Sequence, residues 1–145
     1  MSATANARIT RPELAAPAPR GQGETVLVVE DLEALSATVC LQLDGLGYAT
    51  LAAASADAAL ELLRGAARID LLFTDIVMPG AMDGRHLALA ARQLRPGLRC
   101  LLTTGYDRAH SAAKAATSHL PVLAKPYRRD DLARAVREAL DAEAA

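Results

Sequence analysis

Five times along this chain a short apolar run halts and a helical stripe follows. The first run, Thr25-Val26-Leu27-Val28-Val29, stops abruptly at Glu30-Asp31. A continuous Val-rich run of this length fits a strand buried on both faces, as in a parallel sheet. Leu32, Leu35, Val39, Leu43 and Leu46 then step by three or four, which is one face of a helix that Gly45 and Gly47 stop. Residues 48–53 read as a second, Ala-rich strand. Ser55 caps a helix carrying Ala59, Leu60 and Leu63, and Gly65 ends it. Residues 69–74 form a third run, followed after Gly84 by a helix with Leu87, Ala90, Ala91 and Leu94, closed by Pro96 and Gly97. Residues 98–103 are the fourth run, and Asp107 opens an Ala-rich helix to about Thr117. Residues 120–124 are the fifth, before a helix opened by Asp130 with Leu132, Val136 and Leu140. Strands alternating with helices in this way predict an α/β fold, a parallel sheet covered on both faces.

That pattern occupies residues 24–143. Residues 1–23 carry Pro12, Pro17, Pro19, Gly21 and Gly23 without any period, and read as a disordered extension. The net charge of −1 supplies no field for nucleic acid or a membrane surface, so neither is expected as a partner. No apolar run approaches the roughly 18 residues of a membrane span, and the N-terminus lacks a secretory apolar core. Cys40 and Cys100 stand in apolar elements without metal or redox spacing, so they read as core residues of a cytoplasmic protein. His86, His110 and His119 have no metal-ligand spacing; His86 is expected at the surface, where the third helix starts.

Chemistry concentrates where the runs end. Glu30 and Asp31 follow the first strand, Asp75 the third, Thr104 the fourth and Lys125 the fifth. In a parallel sheet these ends share one edge, the edge where open α/β sheets bind ligands. Alone, the acidic pair would serve a helix N-terminus, Asp75 an Asx-turn, Thr104 a turn and Lys125 the solvent. Together they converge three carboxylates, a hydroxyl and an ammonium. Packed carboxylates repel, and oxygen ligation with retained waters suits Mg²⁺. A carboxylate beside such an ion can take a phosphoryl group, with Lys125 and Thr104 on the phosphoryl oxygens. Asp75 is therefore the candidate phosphoacceptor.

These residues carry a resemblance. Val-Val-Glu-Asp at 28–31, Asp75-Ile-Val-Met-Pro followed by Met82-Asp83-Gly84, Thr104-Gly105 and Lys125-Pro126-Tyr127 resemble the receiver domain of two-component response regulators. The resemblance covers residues 24–143. It implies a flavodoxin-like (βα)5 fold with strand order 2-1-3-4-5. It implies Asp75 as phosphoacceptor, with Asp31, Asp75 and the backbone carbonyl of Val77 as Mg²⁺ ligands and Glu30 acting mostly through water. Thr104 and Lys125 would contact the phosphoryl group, and the bond before Pro126 would be cis. Three features depart from the family pattern. The loop has an extra residue, Gly80-Ala81, which with Thr-Thr-Gly-Tyr and Lys-Pro-Tyr looks like the receivers of hybrid histidine kinases. Val77 and Tyr106 stand where the family lines the path of attacking water. Val122 replaces the usual aromatic of strand 5.

The expected function is a signalling switch rather than an enzyme, with slow autodephosphorylation. A histidine kinase or histidine phosphotransfer protein would donate to Asp75. Output would pass by protein contact at the face of the fourth helix, fifth strand and fifth helix, since the chain ends soon after the latter. Tyr106 is the readout candidate there, and the protein is expected as a monomer or a phosphorylation-dependent dimer. Two alternatives stay open, a phosphoryl sink and a pseudo-receiver that never takes phosphate. A phosphohydrolase lacks its general acid, because Val77 stands where a second Asp is needed. A nucleotide-binding module lacks a Gly-rich phosphate loop.

Overall fold

The computed structural model describes residues 18–78, 80, 82–105 and 120–142. Strands β1 (Thr25–Val29), β2 (Ala49–Ala53), β3 (Leu71–Asp75), β4 (Arg99–Thr104) and β5 (Val122–Ala124) form one sheet. Its order is β2-β1-β3-β4-β5 and every pairing is parallel, the flavodoxin-like arrangement. The described helices are α1 (Glu33–Gly45), α2 (Ala56–Arg64), α3 (Gly84–Leu94) and α4 (Arg129–Asp141). Helix α4 is the fifth helix of the sequence pattern. The Ala-rich helix opened by Asp107 lies outside the described residues, as do Tyr106, Pro79, His110 and His119.

Alternation along the strands divides the core into two layers. Leu27, Val29, Leu72 and Leu102 point toward α2 and α3, where they meet Ala59, Leu60, Leu63, Leu87, Ala88 and Ala91. Val26, Val28, Leu71, Phe73 and Leu101 point the other way, toward Val39 and Leu43 of α1 and Leu132, Ala133, Val136 and Ala139 of α4. Successive strand residues face opposite sides, so an apolar run with no polar gap is needed to fill both layers. Cys100 is buried and Cys40 partly buried, and both are free thiols.

Three details differ from the sequence expectation. In α1 the buried face is Ser36, Val39 and Leu43, continued by Leu46 just past the helix, while Leu32 is 56% and Leu35 43% exposed. The helix begins only at Glu33, and Leu35 shares the wall of a cavity with Lys125, Pro126 and Tyr127 instead of packing into the core. Leu94, at the end of α3, is likewise 42% exposed, and the buried face of that helix is Gly84, Leu87, Ala88 and Ala91. The second difference is at the strand ends. Asp75 is the last residue of β3, paired with Thr103, and Thr104 the last of β4, paired with Ala124.

The third difference is the domain boundary expected before Glu24. Gly21 N donates to Leu46 O at 2.7 Å, and Gly23 N to Gly47 O at 3.1 Å. The Arg20 guanidinium reaches Gly45 O at 3.0 Å, and Arg137 of α4 joins Arg20 O, Glu24 and Asp141. Gly21 is needed there, because a Cβ would sit 2.5 Å from the Tyr48 ring. Residues 20–23 are thus bound to the α1–β2 turn. The expected extension from residue 1 to 17 lies outside the described residues.

Candidate functional site

The site lies at the C-terminal edge of the sheet. Glu30 leaves β1 with its backbone N–H on Ala53 O of β2, at 3.1 Å, which aims its side chain inward to 7% exposure. Its Oε2 accepts from Leu32 N at 3.1 Å and its Oε1 lies 3.3 Å from Lys125 Nζ. Asp31 is exposed at the rim. Asp75 is 8% exposed and accepts from Lys125 Nζ at 2.9 Å through Oδ2. One ammonium thus joins β5 to the ends of β1 and β3. The backbone N–H of Lys125 ties to Thr104 O at 2.8 Å, closing the edge between β4 and β5.

Electrostatics follow from this packing. Burial pushes the Glu30 carboxyl above its ordinary value; Asp31 and Asp75 add to that, against the Leu32 N–H and Lys125. Burial alone would depress the Lys125 ammonium. The hydrogen bond and charge of Asp75, with those of Glu30, outweigh it and hold Lys125 above the usual lysine range. Lys125 therefore stays charged at neutral pH. One ammonium between two buried carboxylates, with Asp31 beside them, leaves the pocket short of positive charge.

Carboxylate oxygens of Glu30, Asp31 and Asp75 lie within 4.8 Å of one another. An octahedral Mg²⁺ with ligands at about 2.1 Å separates trans ligands by about 4.2 Å. The three groups therefore fit such an ion after a small closure, or with one ligand acting through water. Thr104 ends β4 on the same edge of the sheet. It is fully buried, and its Oγ1 has no hydrogen-bond partner among the described residues. Buried hydroxyls are ordinarily satisfied, so this one is free to bond a further group.

The β3–α3 loop holds Asp75 in place. Gly84 N donates to Ile76 O at 2.8 Å, and Ile76 N donates to Thr103 O at 2.9 Å. The approach is so close that a Cβ on Gly84 would strike the Asp75 carbonyl oxygen. Asp83 caps α3, its Oδ1 accepting from the Arg85 and His86 amides at 3.0 Å each. The exposed His86 ring lies 3.0 Å from the same carboxylate. Val77 follows on this loop, 46% exposed. The Lys125–Pro126 bond is cis, and Tyr127 beyond it packs edge-on against Phe73 of β3. The sequence pattern marks Met82-Asp83-Gly84 and Lys-Pro-Tyr as motifs, but assigns no work to Asp83, Gly84 or Tyr127.

The model of the response regulator receiver domain matches residues 26–137. The chain belongs to the response regulator receiver domain family. Among curated proteins, this receiver is 33% identical over 119 residues to the sensor kinase CckA of Brucella abortus (strain 2308). That match covers 81% of this chain but 12% of the kinase, so the receiver spans about an eighth of its relative's length. Among solved structures it resembles the receiver domain of the hybrid histidine kinase CckA, with TM-score 0.67 and 29% identity over 81% of this chain and 99% of that one. A response regulator receiver protein from Sinorhizobium medicae WSM419 gives TM-score 0.73 and 27% identity, covering 83% of this chain and 97% of that one. Receivers are two-component signalling modules that bind Mg²⁺ at an acidic pocket, and Glu30, Asp31 and Asp75 form such a group here. No helix among the described residues is long and apolar enough to cross a membrane.

Proposed function

We propose that this receiver is a phosphoacceptor switch that takes a phosphoryl group onto Asp75 from a phosphohistidine of a histidine kinase or histidine phosphotransfer protein. The supporting observation is the Lys125 ammonium held 2.9 Å from Asp75 and 3.3 Å from Glu30, across strands that are far apart in sequence. That ammonium can follow the charge from carboxylate to phosphoryl oxygen without crossing the pocket. In the transfer, an Asp75 oxygen forms a bond to phosphorus as the bond from phosphorus to the donor imidazole nitrogen breaks, and the imidazole leaves. Lys125 neutralises one phosphoryl oxygen, and the buried Thr104 hydroxyl donates to another.

Asp31, Asp75 and the carbonyl of Val77 would hold Mg²⁺, with Glu30 acting through water because its own oxygens are engaged by Leu32 N and Lys125. When bound, the ion neutralises charge developing on the phosphoryl group. The donor would approach where Asp31, Leu32 and Leu35 are exposed beside the pocket. Output is a protein contact on the face of β5, α4 and the segment between β4 and β5, with Tyr106 as the candidate reporter. Val122 has no ring to swing there.

Intact-mass measurement after incubation with acetyl phosphate and Mg²⁺ tests the assignment. The wild type should gain one phosphoryl group and Asp75→Asn none. Phosphorylation of Asp75→Asn at the wild-type rate would refute it.

A further inference from the structure

The segments that carry Asp75 and Lys125 are joined twice. The first link is their 2.9 Å ion pair. The second lies two residues along each segment, where Phe73 precedes Asp75 and Tyr127 follows Lys125. Their ring centroids are 6.3 Å apart at an interplanar angle of 62°, the edge-on geometry that aromatic quadrupoles favour. Phe73 is 2% exposed in the core layer beneath α1 and α4, and Tyr127 packs on that layer.

Tyr127 also borders open space. A cavity of about 270 Å³ lies between it and α1, walled by Glu30, Leu35, Val39, Gln42 and Pro126. Space of this volume beside the side chain leaves a ring room to move. Val122 on β5 packs instead on the opposite layer, and its branched side chain is stiff at χ1. Tyr127 is therefore a large side chain attached directly to the loop of Lys125, with an ordered ring contact to Phe73 and open space beside it.

We propose that Tyr127 is a positioning residue that carries the state of Asp75 to helix α1. When Lys125 exchanges the Asp75 carboxylate for a phosphoryl oxygen, its loop shifts. The ring then slides from Phe73 into the cavity, and Val39 and Gln42 feel it. The inference rests on Asp75 being the phosphoacceptor, and adds a route on the α1 side to that reading.

NMR of the full chain with beryllofluoride and Mg²⁺ as the phosphoryl mimic tests this. Three tyrosines, Tyr48, Tyr106 and Tyr127, carry fluorotyrosine labels, and Tyr127→Phe identifies the Tyr127 signal by its loss. The expected result is a Tyr127 shift on saturation, larger than that of Tyr48, with movement of the Val39, Gln42 and Leu43 amides. Tyr127→Phe should keep the amide response. Tyr127→Leu should lose more than half of it while the bound beryllofluoride signal persists. If that signal is present in the wild type but Tyr127 does not move, the α1 route is wrong and Asp75 stands. An unchanged α1 response in Tyr127→Leu would equally rule out the route while leaving Asp75 in place. If Tyr127→Leu does not fold, the wild-type fluorine shift alone decides. If no beryllofluoride binds the wild type, both readings fall.

Discussion

Gly84→Ala separates the reasons a glycine can occur in this fold. On helix propensity alone the change should help, since Ala gains about 1 kcal/mol over Gly inside a helix and Gly84 opens α3. The structure predicts the opposite sign. The new Cβ would lie 2.8 Å from Ile76 Cα and would strike the Asp75 carbonyl oxygen, where ordinary contacts begin at 3.4 Å. At least 0.6 Å of movement is therefore required, the difference between those two distances. The obstacle is backbone held by Ile76 N on Thr103 O and by Gly84 N on Ile76 O, so it cannot turn aside like a side chain. Overpacking costs about 1–3 kcal/mol and the weakened hydrogen bond about 1. Against the propensity gain, the net loss is about 1–3 kcal/mol, a fall of roughly 0.5–2 M in the urea midpoint at unchanged slope. The residue displaced is Asp75, the proposed acceptor, so phosphorylation by acetyl phosphate should slow by about tenfold or more. Gly65→Ala is the control: its nearest atoms lie at 3.5 Å with φ −81°, so Ala fits and should stabilise by about 0.4–1 kcal/mol. If Gly84→Ala stabilises as Gly65→Ala does, the close approach of α3 to β3 is not what holds Asp75.

Burial would raise the Asp83 carboxyl, but the His86 amide, the charges of His86 and Arg85 and the Arg85 amide outweigh it and hold it below the ordinary aspartate value. A depressed carboxylate contributes stability that is present above its unfolded pKa and is lost as pH falls through the folded one. Asp83→Ala should therefore cost about 1 kcal/mol near neutrality, and the gap to wild type should close below about pH 4; urea melts across pH 2–7 would show a constant gap if the cap were irrelevant. In Mg²⁺ titrations, Asp31→Asn should weaken binding strongly and Glu30→Gln less, since Glu30 is already engaged by Leu32 N and Lys125; equal losses would make Glu30 a direct ligand.

What the sequence discloses about this fold depends on how local the determining force is. Strand β1 is plain because each of Val26, Leu27, Val28 and Val29 is at most 2% exposed, so burial on both faces writes itself into four consecutive residues. The Ser55 cap is equally plain, since its Oγ accepts from Ala58 N only three residues on. Legibility fails where two distant segments decide. Apolar patterning ends β3 at Thr74, yet the ladder continues to Asp75 because Thr103 pairs with it. Composition assigns residues 18–23 to a disordered tail, yet Gly21 is fitted to the Tyr48 ring and Arg137 reaches across from α4. The leucine stripe of α1 includes Leu32 and Leu35, but both are exposed, and Leu35 borders the cavity beside Tyr127 instead of packing into the core. The candidate site lies between these cases. Each charged residue can be found because the chain must turn polar where a buried strand ends, and the parallel topology brings those ends together. What the sequence does not show is that Lys125 bonds to Glu30, 95 residues earlier, as well as to Asp75. That pairing couples strands β1, β3 and β5 through one ammonium, so a change of charge at Asp75 must be felt at all three.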